Sequence, residues 1–147
     1  MAQLKIYEWE DQTYPEFRKI GLCRAEIQKI FRKLIRHFKS PPLSRVSFVN
    51  YVRGGKYYSS FYSIVIGSGG YNLGTICHEF AHHLADTRHN KSCGHRKEFK
   101  RELKRVYTYA KRWLPEKRLH QMQYGGTSGE QTNSESTGLS VEKKEVV

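Results

Sequence analysis

The stretch TICHEFAHHLADTRHNKSCGHRKEF, running from Thr75 to Phe99, places His78, Glu79 and His82 within five residues and adds His95 thirteen residues further on. If this segment is helical, residues four apart share a face, so His78 and His82 can present two imidazoles to one ion. Glu79 then lies one step round the helix from His78, near enough to reach a metal-activated water without being a ligand. Neutral imidazole is a zinc donor, and zinc lowers the pKa of a coordinated water to about 7. A carboxylate beside that water can take its proton and return it to a leaving amine. The chemistry expected is hydrolysis, with zinc as cofactor and Glu79 as the base.

A catalytic zinc site has three protein ligands and one open position. Asp86 is eight residues beyond His78, about 12 Å along an unbroken helix, too far to share the ion but placed to support His82 from behind. His83 is rotated about 100° from His82 and points elsewhere. His89 and Cys93 lie in the following loop and stay open as third ligands. His95 is favoured, because it follows Gly94 and opens the next helix, where an inward-facing residue can meet the metal helix across the turn. Cys93 as a fourth ligand would instead close the site into a structural one.

These residues need elements to hold them. Ile27, Ile30, Phe31, Leu34, Ile35 and Phe38 form the stripe of an amphipathic helix over Leu22–Phe38, which Pro41-Pro42 stops. RVSFVNYV and KYYSSFYSIVIG are rich in β-branched and aromatic residues, with Gly54-Gly55 as a turn between them, and predict two or three antiparallel strands. Ser63–Gly67 is the best candidate for an open edge that an extended peptide could pair with, the other reading of the same stretch being an ordinary internal strand. The metal helix starts near Leu73 with Asn72 as its N-cap and runs to about Asp86. A third helix follows with Phe99, Leu103, Val106, Ala110 and Trp113 on one face and ends near Pro115. Tyr71 and His83 are candidates for donating to a developing oxyanion.

The 147 residues carry a formal net charge of +12. From Tyr124 the composition turns to Gly, Ser, Thr and Glu, which predicts a disordered polar tail over 124–147 after a single domain over 1–123. That tail is net acidic, so the positive excess belongs to the body. Lys29, Arg32, Lys33 and Arg36 on the first helix, and Arg96, Lys97, Lys100, Arg101, Lys104 and Arg105 on the third, suit non-specific DNA through phosphate contacts. Tyr57, Tyr58, Phe61 and Tyr62 could stack bases or pack a sheet. A charged start and the absence of a long apolar run predict an intracellular protein, cytoplasmic or nucleoid/nuclear-associated, a monomer with no membrane association. Three cysteines, Cys23, Cys77 and Cys93, with no C-x-x-C pair, argue against a disulfide framework. The competing reading of the same features is a non-catalytic nucleic-acid-binding module with a structural zinc.

The segment His78-Glu79-Phe80-Ala81-His82, then Gly94-His95 and Phe99, resembles the SprT-like zinc metalloproteases. The resemblance implies His78, His82 and His95 as zinc ligands and Glu79 as the catalytic base of a zinc metalloendopeptidase. It implies an α+β, zincin-like minimal domain: an N-terminal helix, a small antiparallel sheet, the metal helix and a following C-terminal helix. It covers roughly residues 20–115, with the motif segment its specific part. It further implies protein or peptide substrates, including DNA-associated proteins. The paired cysteines of the zinc ribbon found in many members do not occur in this sequence.

Overall fold

The computed structural model describes residues 2–113. The stripe read from the sequence folds as a helix over Arg24–Phe38, burying Ile27, Ile30, Phe31, Leu34 and Phe38. Glu26 caps its start by accepting the Cys23 N–H at 2.9 Å, and Lys39 in the left-handed region ends it. It is the second helix, α2, because another, α1, spans Ala2–Thr13. The sequence did not announce α1, since the residues it turns inward include Glu10 as well as Ile6. Neither the expected boundary at 123 nor the tail over 124–147 falls among the described residues, and the same holds for Pro115.

Three strands follow: β1 (Arg45–Arg53), β2 (Gly55–Tyr58) and β3 (Ser63–Ser68). They form one sheet in the order β1-β3-β2. The expectation of a purely antiparallel sheet is corrected here. Gly54, at φ 75°, reverses the chain so that β2 runs back against the direction of β1. A 3₁₀ turn at Ser59–Phe61 reverses it again, and β3 enters the slot between the two earlier strands. It therefore pairs antiparallel with β2 (Tyr57 opposite Ile64) and parallel with β1 (Val46 opposite Ile64). Ser63–Gly67 is accordingly not an edge. Ile64 and Ile66 are fully buried, and this most apolar strand takes the centre, where both backbone sides are paired. The strand that leaves an edge beside the metal helix is β2.

The metal helix, α3, spans Leu73–His89, three residues longer than expected, and is capped as expected by Asn72, whose side-chain oxygen accepts the Thr75 N–H at 2.8 Å. It is buried on nearly every face. The last helix, α4 (Lys97–Ala110), packs on it through Phe99, Leu103, Val106 and Ala110. Trp113 lies beyond it, in a 3₁₀ turn over Lys111–Trp113. The fold is α+β, with four helices and the three-stranded sheet among the described residues. None of these helices is long and apolar enough to cross a membrane.

Candidate metal centre

His78 and His82 stand one turn apart on α3, and the loop after it brings His95 over them. Gly94, at φ 57°, supplies the left-handed backbone that aims His95 inward just before α4 begins. The Nε2 atom of His95 lies 3.2 Å from Nε2 of His78 and 3.2 Å from Nε2 of His82. Donor atoms of all three lie within 4.8 Å of one another. Four tetrahedral ligands at the usual zinc–nitrogen length are about 3.3 Å apart, so 3.2 Å is the edge of a coordination polyhedron. Burial, reinforced by the neighbouring imidazoles, pushes the His82 pKa down to about 2, and burial also lowers that of His95. Both rings are therefore neutral and free to donate lone pairs. Fully buried Phe99 packs against all three, stacked on His82 at 4.2 Å and edge-on to His78 and His95 at 5.0 and 4.9 Å. Three convergent imidazoles fit a metal ion.

A residue that the sequence reading missed stands behind them. Glu10 of α1 is 1% exposed, and its Oε2 accepts the Nδ1–H of His78 at 2.7 Å. Its Oε1 accepts the Tyr107 hydroxyl at 2.5 Å, with Arg18 at 3.6 Å. The only local trace of this role is an acidic residue four positions after Ile6, on the same inward face.

Glu79 is 4% exposed and borders the cavity without joining the donor cluster. Burial raises its carboxyl to about 7, with Glu10 pushing the same way against His78 and Arg18. The edge strand lies directly on it. A Cβ placed on Gly55 would stand 2.8 Å from the Glu79 Cγ and 2.9 Å from the Thr75 Cγ2. Gly55, read from the sequence only as half of a turn, is thus the gap into which the carboxylate side chain fits. Gly55→Ala is expected to leave metal binding by the three histidines unchanged while displacing Glu79, so that any hydrolysis at this site slows by roughly ten- to a hundredfold. Metal content and kcat measured on the same sample check this.

Two cavities meet at Tyr7, Gly55, His78 and Glu79. One, of about 420 Å³, continues past Lys56, Tyr57, Asp86 and His95; the other, of about 400 Å³, past Arg18, Arg53 and Thr75. Together they make a trough along β2 with the histidine cluster in its floor.

Several expected participants are placed otherwise. Asp86 lines the cavity, yet its carboxylate accepts the Cys93 N–H at 2.9 Å and not a proton of His82. Cys93 is buried, its thiol on the carbonyls of Ala85 and Lys91, and neither it nor His89 joins the cluster. His83 donates from Nε2 to the Pro41 carbonyl at 2.7 Å and accepts the Tyr57 hydroxyl at Nδ1, 2.9 Å away. Tyr71 accepts from Arg24 and does not line either cavity. The two residues expected to serve an oxyanion are thus not at the centre; the tyrosines that face it are Tyr7 and Tyr57. No family model matches the chain, and no curated protein or solved structure matches it.

Proposed function

We propose that this protein is a zinc metalloendopeptidase of the SprT-like, zincin-like kind, acting on protein substrates that include DNA-associated ones. The observation that carries the reading is the convergence of the His78, His82 and His95 Nε2 atoms, with a buried carboxylate beside them, in the floor of a trough bounded by a strand edge. Three imidazoles without a fourth protein donor among the described residues correspond to the open donor set of catalytic zinc. When bound, zinc acts as a Lewis acid on the scissile carbonyl and lowers the pKa of coordinated water to about 7.

The chain's own residues divide the remaining work. His78, His82 and His95 hold the ion. Backbone groups of β2 that face away from β3 can pair with an extended substrate and lay its scissile bond over Glu79. Glu79 takes a proton from the attacking water and returns it to the leaving nitrogen. Phe99 and the core beneath it exclude water from the floor, which strengthens each electrostatic contact above it.

The basic faces support the DNA-associated part of the reading. Arg32, Lys33 and Arg36 on α2, and Lys97, Arg101 and Lys104 on α4, are exposed, as phosphate contacts require. The test is digestion of a DNA-binding protein with and without single-stranded DNA, using native, chelator-stripped and zinc-restored samples. Stripping is expected to abolish cleavage and one equivalent of zinc to restore it, with DNA stimulating at low salt. Cleavage that survives stripping, or salt-sensitive DNA binding with no cleavage under any condition, would overturn the proposal.

A further inference from the structure

We infer that Glu10 is the positioning residue of the metal centre, and that metal binding and the seating of α1 are two sides of one equilibrium. This rests on the three-histidine metal reading and not on peptidase activity. An ionised carboxylate only accepts hydrogen bonds. The 2.7 Å contact from Glu10 Oε2 therefore places a hydrogen on Nδ1 of His78 and leaves the Nε2 lone pair pointing at His82 and His95. The carboxylate is itself held: Tyr107 of α4 donates to its other oxygen, and Arg18 stands behind. Such a partner fixes the tautomer and the ring angle of a ligating histidine and raises its basicity.

The same helix grips His78 a second time. Tyr7, one turn before Glu10, stacks on the imidazole at 5.0 Å with the planes 19° apart. Phe99 closes another side. Two of the three groups that hold this ring thus come from α1, which is otherwise seated by Ile6 and by Trp9 against Lys100 and Lys104. Whatever α1 contributes to metal affinity, bound metal must return as stability of the docked helix, because coupling is reciprocal.

The test measures zinc affinity by competition with a chromophoric chelator in wild type, Glu10→Gln and Tyr107→Phe. A second measurement uses Trp9, which Trp113→Phe leaves as the sole tryptophan of the chain. Glu10→Gln is expected to weaken zinc binding by about 10- to 100-fold, and Tyr107→Phe by less in the same direction. Trp9 emission should change on zinc addition, and its midpoint should shift by the same factor when Glu10→Gln is added. Unmoved zinc affinity in a natively folded Glu10→Gln, or Trp9 emission indifferent to zinc, would overturn the inference. Should Glu10→Gln fail to fold, nitrogen-15 spectra of the zinc-loaded wild type decide. A slowly exchanging Nδ1–H on His78 with metallated Nε2 supports the assignment; metallation through Nδ1 overturns it. Wild-type protein that binds no zinc removes the metal reading as well, whereas tight wild-type binding unmoved in Glu10→Gln removes this inference alone.

Discussion

Glu79→Gln is expected to bind zinc as wild type does and to lose peptide hydrolysis by roughly 10²–10⁴-fold, the contribution of a positioned general base. The substitution preserves shape, so the side chain still fills the gap that Gly55 leaves and still packs against Thr75. It removes the proton acceptor from a place that the neighbouring carboxylates among the described residues do not fill. Glu10 borders the same cluster, but its two oxygens are committed to His78 and Tyr107. Asp86 is committed to the Cys93 N–H. A buried carboxyl held at about 7 exchanges protons readily near neutrality, and its replacement by an amide removes that exchange outright. Zinc content and kcat determined on one preparation separate the two functions. Loss of zinc in this variant would make Glu79 a ligand, and kcat within tenfold of wild type would deny it the role of base.

How much of this centre could be read in advance depended on whether the determining contacts were local. The α2 stripe and the Asn72 cap are one-turn relations within a helix, and both appear where the spacing placed them. His95 was reachable because Gly94 before it marks a backbone that only a residue without a side chain adopts freely. The strands were legible as strands, since branched and aromatic runs have few other uses. Their order was not, because alternation along a strand says which face is buried but not which neighbour it pairs with. That is why Ser63–Gly67 could be read as an edge or as an internal strand, until the fold showed the two isoleucines holding β3 in the middle. Glu10 was out of reach for a stronger reason. Its partner is 68 residues away, and an acidic residue in a short, highly charged helix looks in sequence like a solvated one. Only the fold reveals that it is buried because His78 and Tyr107 supply hydrogens.

His95→Ala is expected to abolish stoichiometric zinc binding at micromolar metal and, with it, the stabilisation that zinc confers. Two histidines on one helical turn remain, but they are not a catalytic donor set, and a lost ligand costs more than the 10- to 100-fold attached to a lost supporting partner. The consequence for stability follows from mass action. A ligand present at a thousand times its dissociation constant stabilises the native state by about 4 kcal/mol. For a domain of this size that raises Tm on the order of 10 °C. Wild type should show that rise on zinc addition and His95→Ala should show none. The apo proteins should differ little in Tm, because His95 is only half-buried and sits in a loop outside the central helix that carries His78 and His82. Thermal melts of both proteins with and without zinc therefore isolate the metal term. Equal zinc-induced shifts would mean that the loop histidine, although its nitrogen lies 3.2 Å from both partners, does not hold the ion. Collapse of apo His95→Ala would instead show that the loop packs the core between α3 and α4.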